Sequence, residues 1–127
     1  MNYVLVDTSV WISFFKGDDF GKVLFPLLDS NQVCTNDLIL SELVPSLRLR
    51  NERRIIDMLE AIERIDVKIV WSQIREMQFL NLRNGINKVG IPDLVIAQNS
   101  IQNKLPLLSQ DKHFRLMKEI IGLSLYE

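Results

Sequence analysis

Four acidic residues stand where folding alone has least use for them: Asp7, Glu42, Asp93 and Asp111. Asp7 ends an apolar run, Tyr3-Val4-Leu5-Val6, that reads as a buried strand. Glu42 interrupts the apolar helical stretch Leu38-Ile39-Leu40-Ser41-Glu42-Leu43-Val44. Asp93 follows Pro92 at the head of a helix, and Asp111 follows the strand-like Leu107-Leu108-Ser109. Ligands of an open parallel sheet bind beyond the carboxyl ends of its strands. If these elements share one such sheet, the acids converge at that edge. Carboxylates gathered around one point repel one another unless a cation neutralises them. An all-oxygen donor set selects a hard ion, Mg2+ or Mn2+, over zinc. Such ions serve phosphoryl chemistry, by activating a water and stabilising the leaving oxygen. The expected metal ligands are Asp7, Asp93 and Asp111, with Glu42 completing the catalytic set.

Each acid taken alone has a plainer reading. Aspartate is a favoured helix N-cap, and carboxylates suit the positive end of a helix dipole, which covers Asp7, Asp93 and Asp111. Asp7 fits that reading least well, because Thr8 and Ser9 follow it and can cap in its place. Glu42 has Leu38, Ile39 and Leu43 at helical spacing, so burial is expected, and an unpaired carboxylate there is costly. Its plainer reading is an ion pair with Arg48 or Arg50. The four together weigh more than any one of them.

The elements that must position these acids alternate between strand and helix. Strands are expected at Tyr3–Val6, Gln32–Thr35, Asp66–Val70, Pro106–Ser109 and Leu123–Tyr126. Helices are expected from Ser9 to Lys16, stopped by Gly17, from Phe20 to Leu28, and from an Asn36 or Asp37 cap to Leu47. Further helices span the amphipathic Asn51–Arg64, Ser72 to Arg83, Pro92 to Asn103, and Lys112–Ile121 before Gly122. This order predicts one domain over residues 1–127, of α/β class, with helices on both faces of a mainly parallel sheet: a three-layer α/β/α arrangement.

Composition narrows the function. With 47% hydrophobic residues the chain can build a core, and it has no apolar run near the roughly 20 residues of a membrane span. Asp7 breaks the first apolar stretch early, which argues against a secretory leader. Cys34 is the single cysteine, so intrachain disulfides and cysteine-rich zinc sites are excluded and the cytoplasm is the expected compartment. In an expected buried strand, Cys34 reads as a small hydrophobe. A net charge of −1 speaks against nucleic-acid binding by bulk electrostatics, though a bound cation and a local basic rim can supply what the total lacks. Arg48, Arg50, Arg53 and Arg54 form one such rim, and Lys112, Arg115 and Lys118 another. Solvated helix faces are the competing reading for both. His113 is the only histidine, so a histidine-pair ribonuclease mechanism is closed. It is expected as an exposed residue of a first helical turn. Trp11 reads as core, and Phe14 and Phe15 as core or as a strip for dimerisation.

Four segments resemble the PIN-domain nucleases, and among them the VapC-type toxins of bacterial toxin–antitoxin pairs. They are Val4-Leu5-Val6-Asp7-Thr8-Ser9-Val10-Trp11-Ile12, Ser41-Glu42-Leu43, Ile91-Pro92-Asp93-Leu94-Val95-Ile96-Ala97 and Leu107-Leu108-Ser109-Gln110-Asp111-Lys112-His113-Phe114. The resemblance runs the length of the chain and matches Asp7, Glu42, Asp93 and Asp111 to the family's acidic quartet. It implies that Ser9 supports the first acid, and that Ser109, at a position usually Thr, holds the loop of the last. His113 stands where members often carry a further acid, so the resemblance supports a first metal site more strongly than a second. It implies a Mg2+- or Mn2+-dependent endoribonuclease that leaves 5′-phosphate and 3′-hydroxyl ends. Arg48, Arg50, Arg53, Lys112 and Arg115 are the candidate RNA contacts. It also implies a small antitoxin partner, in a homodimer or a toxin–antitoxin hetero-oligomer. An RNA-processing nuclease outside a toxin pair and a non-catalytic interaction module are the alternatives. A phospho-signalling receiver domain fits poorly, because the expected third strand ends in Trp71 with no acid.

Overall fold

The computed structural model describes residues 2–127. A parallel sheet carries the architecture: β1 (Val4–Val6), β2 (Val33–Thr35), β3 (Glu63–Arg64) and β4 (Leu107–Leu108) lie in the order β3-β2-β1-β4. Strand β1 is fully buried and lies between β2 and β4. Helices α1 (Thr8–Lys16), α2 (Leu24–Asp29), α3 (Asp37–Leu49), α4 (Arg53–Ala61), α5 (Trp71–Arg83), α6 (Ile91–Gln102) and α7 (Lys112–Ile121) complete the three-layer α/β/α fold. Strands β1, β2 and β4 are short buried runs because both sheet faces are covered there.

Register places the site. Val6 pairs with Leu108, and the Asp7 amide donates to the Leu108 carbonyl at 2.9 Å. The residues that follow β1 and β4, Asp7 and Ser109, therefore leave the sheet side by side at its carboxyl edge. Strand β2 ends at the same edge, where Asn36 caps α3 by accepting from the Ile39 amide. Gly17 and Gly122 stop α1 and α7 in the left-handed conformation, at φ 75° and 74°.

Several expected elements differ. The run Asp66–Val70 is not a strand, and the third strand is the two-residue β3, Glu63–Arg64, paired with Cys34 and Thr35. Carboxamides of α6 take the place of a ladder along that run. Asn99 donates to the Asp66 carbonyl at 2.8 Å and Gln102 to the Lys68 carbonyl at 2.9 Å. Gln98 pairs with both the N–H and the carbonyl of Val70, at 3.2 and 3.1 Å. Backbone groups satisfied this way need no neighbouring strand. The helix expected over Asn51–Arg64 stops at Ala61 so that β3 can form. Phe20–Leu28 divides into a 3₁₀ turn, Phe20–Val23, and α2. Leu123–Tyr126 makes a single bridge, Leu107 to Leu125, in place of a strand. Trp11 is wholly buried, and Phe14 and Phe15 pack half-buried against it. Cys34 is buried, and burial followed by the nearby Glu63 charge pushes its thiol up to about 12. Such a thiol is inert.

Candidate active site

Asp7 is 5% exposed, a burial that a carboxylate tolerates only with partners. It occupies the N-cap position of α1 yet makes no capping bond. Its Oδ2 instead accepts the Ser9 hydroxyl at 2.9 Å and the Ser109 hydroxyl at 2.7 Å. The same hydroxyls tie down the next loop: Gln110 N–H donates to Ser9 Oγ at 3.1 Å and Asp111 N–H to Ser109 Oγ at 3.0 Å. Ser9 and Ser109 thus join the first acid to the segment that carries the last.

Asp111 does cap α7, accepting from the His113 amide at 2.9 Å. The same oxygen lies 2.9 Å from His113 Nδ1. The imidazole is therefore half-buried and engaged, in contrast to the exposed residue expected from sequence. Capping and membership of an acidic group coexist in this residue.

Glu42 corrects the expectation of burial. The buried stripe of α3 is Ile39, Leu40, Leu43 and Leu47, and the helical period turns Glu42 to the opposite, exposed side. Its partner is neither Arg48 nor Arg50. The ion pairs among the described residues are Lys22–Asp19, Arg64–Asp37 and His113–Asp111. Glu42 Oε1 accepts the Thr8 hydroxyl at 2.7 Å, across 34 residues of sequence.

Asp93 sits in the first turn of α6, half-buried, where Pro92 removes an N–H that the helix start does not need. Its carboxyl is raised from 3.8 to about 6. Burial is the largest cause, followed by repulsion from Asp111, Asp7 and Glu42, and His113 opposes the rise. All three other acids act on Asp93, so α6, β1, α3 and α7 bring the four carboxylates into one electrostatic group. Among the described residues they do not close to the spacing of a finished metal cage. The donor chemistry still fits a hard divalent ion: every candidate ligand is a carboxylate oxygen, and the repulsion on Asp93 is what a cation relieves.

Two basic groups border the acids. Lys112 and Arg115 line a cleft of about 440 Å³ with Ser109 and Asp111. Arg50 lines a groove of about 140 Å³ with Glu42, Lys16 and the apolar Ile12, Phe15 and Leu43. Arg48 and Arg53 are exposed and line neither. Thr8 is the site residue that sequence reasoning missed as a support. It stood in view as the hydroxyl between Asp7 and Ser9, and only the packing of α1 against α3 shows that it reaches Glu42.

The model of the PIN domain family matches residues 4–120. No curated protein sequence gives a significant match. Solved structures share the fold. A chain in the crystal structure of VapBC2 from Rickettsia felis, bound to a DNA fragment from its promoter, is 21% identical with a TM-score of 0.73, over 98% of this chain and 97% of that one. A chain of DNA-bound VapBC from Salmonella typhimurium is 18% identical with a TM-score of 0.73, over 99% and 98%. A chain of a toxin–antitoxin complex from Klebsiella pneumoniae is 19% identical with a TM-score of 0.65, over 87% and 89%.

Proposed function

Because the chain belongs to the PIN domain family, we propose that it is a Mg2+- or Mn2+-dependent endoribonuclease and the toxin of a toxin–antitoxin pair. The observation that carries this reading is the gathering of the acids: Ser9 and Ser109 tie Asp7 to the segment of Asp111, and Asp93 feels the charges of Asp111, Asp7 and Glu42. A fold that keeps four acids together against their repulsion has a cation to gain from it. The toxin reading rests on the fold shared with VapBC and toxin–antitoxin structures over most of both chains. No helix among the described residues is long and apolar enough to cross a membrane, which suits a protein acting on RNA in the cytoplasm.

Asp7, Asp93 and Asp111 would hold the ion. Bound there, Mg2+ or Mn2+ supplies the charge that offsets the acids, polarises a phosphate oxygen and makes water a competent nucleophile. The chain's own residues do the rest. Ser9 and Ser109 fix the Asp7 carboxylate through Oδ2. Thr8 fixes the direction of the exposed Glu42 carboxylate, which would orient the attacking water. Lys112 and Arg115 hold phosphates of the strand beside Asp111.

Purified protein incubated with total RNA tests this. Cleavage should vanish with chelator, return with Mn2+ or Mg2+, and leave 5′-phosphate and 3′-hydroxyl ends. Ends carrying a 2′,3′-cyclic phosphate would sink the mechanism, because the substrate's own 2′-hydroxyl would then have attacked.

A further inference from the structure

Phe20 is an aromatic ring that stacks on no other ring among the described residues. It is 44% exposed and lies outside the hydrophobic core. A single exposed ring is ordinary on a protein surface. What sets this one apart is its mount and its neighbours.

The mount is fixed by the residue that follows. Gly21 is buried against α1, where a Cβ would come within 2.3 Å of the Phe14 backbone nitrogen. Only glycine permits that approach, so the 3₁₀ turn is pressed onto the α1 backbone while Phe20 stays partly exposed. The neighbours form a trough. Phe20, Ser109 and Arg115 line both of two adjoining clefts, of about 440 and 530 Å³. The first reaches Asp111 and adds a second cation, Lys112. The other has the apolar Val23 and Leu108, a second aromatic residue in Tyr126, and the carboxylates of Asp19 and Glu127, with no cation beyond Arg115. One end of the trough thus suits an anion, and the rest suits a flat, uncharged group.

We propose that this trough is a nucleotide subsite, in which Phe20 stacks on one base of a single-stranded RNA while Arg115 and Lys112 hold the adjoining phosphate. It rests on the nuclease reading above and adds to it how the strand is gripped. The volumes lie within the ~300–1,000 Å³ of small-ligand sites. A base is free to lie on a side chain only when it is unpaired, so the strand must be single there. Stacking accepts any base, so the subsite grips the strand without reading its sequence. Seating the phosphate on Arg115 and Lys112 delivers the chain beside Asp111 and the other acids, which would otherwise repel it.

The test is binding of a short, end-labelled single-stranded RNA, read by fluorescence anisotropy in an Asp93→Asn background so that cleavage does not consume the probe. Phe20→Ala should raise Kd by about 5- to 100-fold, whereas Phe20→Tyr should stay within about twofold. An abasic nucleotide scanned along the probe should weaken binding at one position, and at that position Phe20→Ala should cost nothing more. Arg115→Ala should weaken the intact and abasic probes alike, because the phosphate is still present. If Phe20→Ala melts at a lower temperature, Phe20→Tyr and the abasic scan, which leave the protein's ring in place, decide the matter. An unchanged Kd in Phe20→Ala overturns the subsite, as do additive losses from the ring and the base. Cleavage of the same RNA by the unsubstituted protein with Mn2+ is measured alongside. Cleavage together with either overturning result removes the subsite and leaves the nuclease reading standing. No binding and no cleavage removes both.

Discussion

Asn36 Nδ2 donates to Asn99 Oδ1 at 2.9 Å, joining the residue that caps the Glu42 helix to the helix that carries Asp93. Both are buried, at 0% and 1% exposure, and both carboxamides are used at each end. Asn36 Oδ1 takes the Ile39 amide, and Asn99 Nδ2 reaches the Asp66 carbonyl. The bond sets α3 against α6 beneath the acids. Replacing Asn99 by Leu strands the buried Asn36 amide, and a buried unsatisfied group costs about 1–3 kcal/mol. Denaturant unfolding of Asn99→Leu should show a loss of at least that size. In the double variant Asn36→Ser, Asn99→Leu the loss should be less than the sum of the single losses, because Ser keeps the cap and no amide is left stranded. Additive losses would show that the two residues act apart.

The raised carboxyl of Asp93 predicts how the metal-free protein responds to pH. Its folded value, about 6, lies above the ordinary 3.8, so the folded state holds this proton more tightly than the unfolded chain. Stability from this group therefore falls as pH rises from about 4 to about 6, and the penalty is full above that. Asp93→Asn removes the charge. In the presence of chelator the variant should melt higher than the unsubstituted protein at pH 7 to 8, with the gap closing towards pH 4. Saturating Mn2+ should reverse the order at pH 7, because only the unsubstituted protein keeps all its ligands. A variant that melts lower at pH 8 without metal would remove the crowding on which the site is argued.

The acids were legible in the sequence because Asp7 ends an apolar run, Asp111 follows another, and Asp93 opens a helix just after a proline. Chain order and strand pairing then bring Asp7 and Ser109 together. Glu42 was legible as a member but not in its setting: Leu38, Ile39 and Leu43 surround it in sequence, while the helical period sends the buried stripe to the other side. Asp66–Val70 was misread for a related reason. Val67, Ile69 and Val70 have strand composition, yet pairing depends on partners far along the chain, here Gln98, Asn99 and Gln102. The links Thr8–Glu42 and Asn36–Asn99 span 34 and 63 residues and leave no local pattern to read.

Thr8 should act through Glu42 and not through stability. Glu42 is exposed and Thr8 only half-buried, and Val matches Thr in shape, so Thr8→Val should leave the melting temperature nearly unchanged. Without the hydroxyl, Glu42 loses its only fixed direction among the described residues. Supporting hydrogen bonds of this kind are worth about 10- to 100-fold in activity or metal affinity. Single-turnover cleavage in saturating Mn2+ should slow by about that factor. Thr8→Ser should recover most of it, because it keeps the donor. Full activity in Thr8→Val would take Glu42 out of the catalytic set.

Control of the activity gives the last prediction. A ribonuclease free in the cytoplasm degrades its host's RNA, so the proposed toxin needs restraint from a separate protein. The groove beside Glu42 shows what would fit. Ile12, Phe15, Leu43 and Leu47 offer an apolar strip, and Glu42 supplies negative charge alongside the cations Lys16 and Arg50. An inhibitor suited to this surface combines an apolar helical segment with an Arg that binds the carboxylates through two parallel hydrogen bonds, covering the acids and excluding both metal and phosphate. Expression of this chain alone should arrest growth, and Asp7→Asn, which keeps the shape of the buried side chain, should relieve the arrest. Co-expression of a small protein encoded beside it should restore growth and yield a stable complex that co-purifies. Charge reversal at the groove, Glu42→Lys, should break that complex. Unimpaired growth with soluble, metal-replete protein at high level would overturn the toxin reading, while an RNA-processing nuclease of the same chemistry would survive it.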